Sequence, residues 1–335
     1  MAQPTQSQQP SPARFFGACF GVYVAASAKA AIELNVFTAI ADGATTAQAL
    51  ADKCRASERG MRILCDFLTV HGFLTKADGH YGLTPDSAMF LNQHSPAYVG
   101  SAVKFLLRPD TYRDVDNLTA IIRAGQADDS PLSSDHPMWV EFARSMAPFV
   151  APAAAEIADI VDQPQDCRVL DIAAGHGLFG ISLAQRNPGT RVTALDWPHV
   201  LDVAWENARN RGVADRYGVI AGSALQVDWG SGYDVVLLTN FLHHFNSKTC
   251  DSILRKAHAA LKPGGKTVTL EFVPNPDRVS PPLPAQFPMI MLTGTPAGDA
   301  YTYAELESMF ASAGFSKNEH RPLSQSPQSV IISTK

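Results

Sequence analysis

Residues 168–180, RVLDIAAGHGLFG, combine a short apolar run, an acidic residue and three glycines. The β-branched and apolar run predicts a buried strand, and the apolar residues that follow recur at helical spacing. Glycines at 175, 177 and 180 allow a sharp turn and leave backbone N–H groups open to a ligand. In open α/β sheets such a unit lies at the carboxyl end of a strand, where these sheets bind ligands.

Strands and helices alternate through the rest of 166–335, which predicts a parallel sheet with right-handed crossovers. The further strands are predicted at 191–197, 217–224, 233–245 and 262–273, with helices at 199–213, 247–261 and 302–314 and a proline-rich loop at 274–300. The last two extended runs, within 319–335, are separated only by a polar turn, so they should form an antiparallel hairpin. We therefore expect a Rossmann-like, doubly wound sheet of seven strands.

The N-terminal part has a different pattern. Helices are predicted at 15–34, 44–54 and 57–72, followed by a hairpin at 73–84, which is the order of a winged helix. The first of these helices is apolar around most of its circumference and should be buried on several sides. The expected organisation is a disordered tail at 1–13, a winged-helix-like domain at 14–100, a helical linker and substrate-pocket region at 101–165, and the α/β domain at 166–335.

Composition narrows the class of protein. The chain has 335 residues and a net charge of −5, and 14–100 holds as many acids as bases, which disfavours nucleic-acid binding. No uncharged apolar run reaches the roughly 18 residues of a membrane span, and no signal peptide is evident. The five scattered cysteines lack CxxC spacing, so we expect free thiols in the cytoplasm and no metal site.

By spacing alone, residues 175–180 satisfy GxGxxG, so a nicotinamide-dependent dehydrogenase is one alternative. Three features disfavour it: Asp171 before the glycines, the KPGG turn at 262–265 and the terminal hairpin. Asp196, which ends the second strand about 20 residues past the glycines, is placed to accept hydrogen bonds from two ribose hydroxyls.

Together these features resemble the class I S-adenosylmethionine-dependent methyltransferases. The whole chain is similar to the small-molecule O-methyltransferases with an N-terminal winged-helix dimerisation domain, which include plant phenolic, hydroxyindole and bacterial polyketide-tailoring enzymes. The similarity runs from the N-terminal helices through GFLTKADGHYGLTP at 72–85 to SVIIS at 329–333. It implies a homodimer that transfers methyl from S-adenosylmethionine to a hydroxyl of an aromatic or polycyclic molecule and releases S-adenosylhomocysteine.

The resemblance also implies residue roles. His243, in LHHF, matches the general base, and Glu271, in TLEFVP, matches the residue that orients it. An imidazole with a pKa near 6.5 can take the proton of a phenol, whose pKa is near 10, as its oxygen attacks. The implied cofactor-binding residues are Asp171, Gly175, Gly177, Asp196, Trp197, Ser223, Ala224 and Thr239. The implied substrate-binding residues are Trp139, Phe142, Met146, His244, Met291 and Thr295.

Three positions depart from the family pattern. Ser223 replaces an acid that contacts the adenine side of the cofactor, His244 replaces the acid after the base, and Ala300 replaces a second orienting glutamate. They keep one alternative open, which is methylation of carbon or nitrogen, or a reaction that uses the cofactor without methylating. A further alternative, from a different class, is a winged-helix regulator whose cofactor domain is a sensor, and the charge balance of 14–100 disfavours it.

Overall fold

A computed structural model describes residues 10–127 and 136–335. The chain divides into two compact units, Met1–Leu107 and Arg108–Lys335. Most of the predicted tail at 1–13, and the middle of the loop expected between 124 and 137, lie outside the described residues.

The first unit contains the predicted helices and hairpin together with short helices that were not predicted. Its elements are α1 (Ala13–Glu33), α2 (Val36–Ala41), α3 (Ala47–Cys54), α4 (Glu58–Val70), β1 (Leu74–Ala77), β2 (His80–Leu83), α5 (Pro85–Phe90) and α6 (Val103–Leu106). The side chains of Thr46 and Ser57 accept the N–H groups of Ala49 and Gly60, so they cap α3 and α4. Strands β1 and β2 pair antiparallel.

Helix α1 differs from its prediction in one respect. Ala31 is its single buried residue, whereas Phe15 and Tyr23 are 67% and 64% exposed. The expected burial on several sides is therefore not provided by residues 10–127 and 136–335. By length and composition α1 is also long and apolar enough to cross a membrane, the single such helix among residues 10–127 and 136–335. The uncharged-run criterion missed it because Arg14 and Lys29 interrupt the apolar sequence.

The second unit contains the predicted α/β alternation. Its elements are α7 (Pro109–Asp116), α8 (Leu118–Ala124), α9 (Met138–Ile160), β3 (Arg168–Ile172), α10 (Leu178–Arg186), β4 (Arg191–Asp196), α11 (Pro198–Asn210), β5 (Tyr217–Ala221), β6 (Tyr233–Thr239), α12 (Ser247–Ala260), β7 (Leu261–Glu271), α13 (Pro282–Gly294), α14 (Tyr303–Ser312), β8 (Lys317–Pro322) and β9 (Ser329–Thr334). The seven strands have the order β5-β4-β3-β6-β7-β9-β8. Strand β9 pairs antiparallel with β7 and β8, and the other pairs are parallel. The predicted fold class is confirmed.

Helices cover both faces of this sheet. Val169 and Val235 pack among residues of α9, α10 and α11, whereas their neighbours Leu170 and Val236 pack among residues of α12 and α14. Strands buried on both faces read as continuous apolar runs, which is why β3 and β6 lack alternation. The two layers leave the carboxyl ends of β3, β4 and β6 side by side at one edge.

The prediction of a loop at 274–300 is wrong for part of this segment, because the segment contains α13. Proline is tolerated in the first turn of a helix, where its missing N–H has no partner to lose. Pro282 occupies that first turn, and the apolar sequence after Pro284 continues the helix despite Pro288. The consequence for the site is that α13 places the Phe287 ring against His243, with ring centroids 4.8 Å apart.

Candidate active site

A cleft opens at the carboxyl ends of β3, β4 and β6. Its lining combines aromatic side chains with a small number of polar groups, as small-molecule sites usually do. The predicted site residues that line it are Trp139, Phe142, Gly175, Asp196, Trp197, Thr239 and His244. Aromatic side chains from α9 form one wall, and the ends of the strands form the other.

The glycine turn after β3 is tied to the end of β4. The carboxylate of Asp196 accepts the N–H groups of Gly175, at 2.8 Å, and of Trp197, at 2.7 Å. Gly177 has φ of 74°, and a Cβ there would lie 2.5 Å from the Tyr217 hydroxyl and 3.0 Å from the Ala204 Cβ. The turn therefore packs too closely on β5 and α11 to accept a side chain at 177.

Asp171 lies beneath the turn and not in the cleft. It is completely buried, and its Oδ2 accepts the N–H of Gly180 at 3.1 Å. Burial raises the pKa of Asp171 to about 8, although the bond from Gly180 acts in the opposite direction. Burial likewise raises the pKa of Asp196 to about 6, against the two backbone bonds that lower it. The structure thus separates a carboxyl that supports the turn, Asp171, from one that lines the cleft, Asp196.

His176 also lines the cleft, a role that the sequence analysis did not assign to it. Its Nδ1 accepts the N–H of Leu178 at 3.1 Å, so in the neutral ring Nε2 must carry the proton. Burial lowers the pKa of His176 to about 4, which keeps the ring neutral. Asn207 donates to the His176 carbonyl at 2.9 Å and fixes the backbone. The sequence signal that could have identified His176 is its polar side chain between the turn glycines 175 and 177.

His243 and Glu271 meet because β6 and β7 pair in parallel, with Thr239 opposite Leu270. His243 lies in a 3₁₀ turn after β6, and Glu271 ends β7. The His243 Nδ1 lies 2.5 Å from the Glu271 Oε2, and both side chains are buried. An ionised carboxylate can only accept, so Nδ1 carries the proton and the lone pair is on Nε2.

Glu271 also fixes the backbone of the turn that carries the histidine. Its Oε1 accepts the N–H groups of Phe241, Leu242 and His243 at 3.2, 2.8 and 3.4 Å. Phe241, just before this turn, and His244, its last residue, line the cleft, whereas His243 between them is not among the lining residues. One carboxylate therefore sets both the path of the chain and the ring orientation.

The loop after α13 closes over the same turn. The N–H of Asp299 donates to the carbonyl of His243 at 3.0 Å, and a Cβ on Gly298 would overlap that carbonyl oxygen. Thr295 secures the loop, since its hydroxyl donates to the Met291 carbonyl and accepts the Gly298 N–H, each at 2.7 Å. The close contact between Gly298 and the His243 carbonyl could not be predicted from the sequence, because the two residues are far apart along the chain.

The remaining predicted residues do not line this cleft. Met146, Met291 and Thr295 are buried in or beside α9 and α13. Ser223 and Ala224 follow β5, where the Ser223 hydroxyl accepts the Leu225 N–H at 3.3 Å and the Ala224 carbonyl accepts the indole N–H of Trp229 at 2.9 Å. Among residues 10–127 and 136–335, no group of three His, Cys, Asp or Glu side chains could hold a metal ion.

Comparison with known proteins assigns the family. A family model of the O-methyltransferase domain matches residues 134–316, and one of the O-methyltransferase dimerisation domain matches residues 16–93. Such matches span most of both units.

Individual relatives and a solved structure are also similar to this chain over most of its length. A 3-hydroxy-5-methyl-1-naphthoate 3-O-methyltransferase of Streptomyces sahachiroi is 29% identical over 306 residues, covering 89% of this chain and 87% of that protein. An L-tyrosine C(3)-methyltransferase of Streptomyces lavendulae is 26% identical over 334 residues, covering 94% and 91%. A crystal structure of a candidate O-methyltransferase from Nostoc punctiforme PCC 73102 has a TM-score of 0.95 and 51% identity, covering 98% of this chain and 100% of that one. The chain therefore belongs to the S-adenosylmethionine-dependent O-methyltransferase family and carries that family's dimerisation domain.

Proposed function

We propose that this enzyme methylates a hydroxyl of an aromatic or polycyclic small molecule, with His243 as the general base. The observation that carries the proposal is the buried His243–Glu271 pair beside the cleft. S-adenosylmethionine supplies a sulfonium methyl group that is already electrophilic. The protein then has to deprotonate the acceptor, align it and exclude water.

The cleft fits the cofactor on its β4 side. Each carboxylate oxygen of Asp196 accepts one backbone N–H, which leaves lone pairs for two ribose hydroxyls. His176 offers a donor of fixed tautomer to an acceptor atom of the cofactor. Between them, the close packing at Gly177 keeps the turn in the shape that brings its backbone to the ligand.

The base is oriented in advance of the reaction. Since Nδ1–H of His243 is held by Glu271, Nε2 takes the hydroxyl proton, and the carboxylate stabilises the imidazolium that forms. General-base catalysis of this kind contributes about 10²–10⁴-fold in rate. Trp139 and Phe142, whose rings are 5.9 Å apart and edge to face, supply an apolar wall for a flat acceptor.

The proposed enzyme is a cytoplasmic homodimer. The dimerisation-domain match covers α1 from Phe16 onward, and the exposed Phe15, Phe16 and Tyr23 of this helix would be covered by a second copy. The described cysteines are all free, which fits a reducing compartment. Light scattering should give twice the mass of one chain, and a monomeric mass would contradict this part of the proposal.

Methylation of an aromatic carbon is a second candidate, because the Streptomyces lavendulae relative is a tyrosine C(3)-methyltransferase. A phenolate places negative charge on its ortho carbon as well as on oxygen, so the same base would serve both reactions. Mass-spectrometric location of the new methyl group separates them.

Two measurements test the proposal. Calorimetric titration should show binding of S-adenosylhomocysteine and none of NADH. The wild-type enzyme and His243→Ala are then given methyl-labelled S-adenosylmethionine and phenolic acceptors. We expect His243→Ala to retain S-adenosylhomocysteine affinity and lose about 10²–10⁴-fold in turnover. Undiminished turnover would remove His243 from the mechanism.

A further inference from the structure

Two side chains that touch in the cleft each have a buried nitrogen without a partner. The Trp139 Nε1 and the His244 Nδ1 are enclosed and make no hydrogen bond to the described residues. Their rings are 5.8 Å apart and nearly perpendicular, at 83°. Buried polar atoms are seldom left unpaired, so this pair calls for a physical explanation.

The chemistry of the two rings is complementary. An indole N–H can only donate, whereas a neutral imidazole has one nitrogen that accepts and one that donates. The Trp139 Nε1–H makes no hydrogen bond to the His244 Nδ1, so the tautomer of His244 follows from the cost of burying Nδ1. A buried N–H without an acceptor is rarer than an under-used acceptor, which favours the tautomer in which Nδ1 carries the lone pair. The proton of the neutral His244 ring is then on Nε2.

The Nε2 atom of His244 is not enclosed as Nδ1 is, and His244 lines the cleft. Burial and the neighbouring His243 hold the pKa of His244 well below its ordinary value, so the ring stays neutral. The His243 ring lies beside it, with centroids 4.4 Å apart. The lone pair of His243 therefore lies on a ring next to the hydrogen-bond donor that His244 offers to the cleft.

We infer that the acceptor molecule carries a hydrogen-bond-accepting oxygen adjacent to the hydroxyl that is methylated, and that the His244 Nε2–H donates to this oxygen. The inference rests on the proposed function and narrows its substrate class to vicinal oxygen pairs. His243 takes the proton of one oxygen while His244 holds the other, so the molecule enters in a single orientation. A carboxylate at position 244 could only accept a hydrogen bond, so it would select an acceptor molecule with a hydrogen-bond donor beside the methylated hydroxyl.

Three probes that differ at one position test this pairing. They are 2-naphthol, naphthalene-2,3-diol and 3-methoxy-2-naphthol, titrated into the full-length enzyme saturated with S-adenosylhomocysteine. One additional hydrogen bond to a buried donor corresponds to about tenfold in affinity. We expect the diol and the methoxy compound each to bind about tenfold more tightly than 2-naphthol. The methoxy oxygen accepts but cannot donate, so it identifies His244 as the donor.

Variants assign the effect to His244. His244→Ala should reduce the preference for the diol and the methoxy compound over 2-naphthol to about onefold, whereas His244→Asn, which keeps an N–H donor, should retain part of that preference. Nitrogen-15 NMR of histidine should show the His244 proton on Nε2. Equal binding of the three probes, binding of none of them, a preference that survives in His244→Ala, or a proton on Nδ1 would each overturn the inference. Failure to bind S-adenosylhomocysteine would instead overturn the proposed function.

Discussion

The two halves of the cleft are built in different ways. At the ends of β3 and β4 the contacts come from backbone amides, one carboxylate and glycines that leave no room for a side chain. At the ends of β6 and β7 they come from His243 and Glu271, whose hydrogen bonds depend on which atom carries the proton. The first half should therefore be sensitive to added volume, and the second to a change of charge. Substitutions in each half can distinguish an effect of added side-chain volume from an effect of changed charge, and a loss of cofactor affinity from a loss of turnover.

The largest effect is expected for Glu271→Gln. The amide keeps an oxygen for the three backbone N–H groups, but it is uncharged and cannot stabilise an imidazolium at His243. Turnover should fall by about 10²–10³-fold, with S-adenosylhomocysteine affinity unchanged. Glu271→Ala is the matched comparison, because it also removes the acceptor of those N–H groups and should lower the melting temperature. Equal turnover in wild type and Glu271→Gln would show that this half does not depend on charge.

In the cofactor half, Gly177→Ala should weaken S-adenosylhomocysteine binding by about 10²-fold. The new Cβ meets the Tyr217 hydroxyl and Ala204, and a residue other than glycine at φ of 74° costs about 1–2 kcal/mol more. Tyr217→Phe in the same background removes one of the clashing atoms and should restore part of the affinity, as calorimetry would show. An affinity unaffected by Gly177→Ala would mean that the turn tolerates volume.

Gly298→Ala tests whether volume can also disturb the catalytic half. Its Cβ overlaps the His243 carbonyl, so the turn must shift and the base must move, and turnover should fall by about tenfold. Gly218→Ala, in β5, is the control, since the nearest described atom to a Cβ there is the Val192 carbonyl oxygen, at an ordinary 3.8 Å. Steady-state kinetics of the two variants, with circular dichroism to verify folding, decides the matter. Equal loss in both variants would contradict the assigned contact.

The smallest effect concerns charge in the cofactor half. Burial raises the pKa of Asp196 to about 6, and the ribose hydroxyls need its ionised form as acceptor. Protonation as the pH falls through 6 therefore opposes binding, and S-adenosylhomocysteine affinity should drop about fourfold from pH 7 to pH 5.5. Calorimetry across this range measures it, and Asp196→Asn should flatten the profile. A wild-type affinity that rises toward pH 5.5 would reverse the assigned role.

The same contrast explains what the sequence could predict. The unit from Asp171 to Asp196 was predictable because glycine spacing and strand composition are local signals of a backbone conformation. The meeting of His243 with Glu271 was inferred from a resemblance, since only strand pairing brings them together. The Trp139–His244 contact could not be found, because it depends on where α9 packs.

Other features of the structure could not be predicted from the sequence, each for a specific physical reason. Helix α13 was not predicted, because a proline in the first turn of a helix gives the same sequence signal as a proline in a loop. The contact between Gly298 and the His243 carbonyl has no local signal in either segment. Residues such as Met291 were assigned to the pocket by resemblance; Met291 is buried and is not among the residues that line the cleft.

The uncovered apolar surface of α1 has a consequence for how the folded chain responds to dilution. In the proposed homodimer, Phe15, Phe16 and Phe20 would gain burial when a second copy associates, so association would add to the free energy of unfolding by mass action. The melting temperature should then rise with protein concentration. Below the dissociation constant of the dimer, the stability of the fold would depend on the concentration of the chain as well as on its sequence.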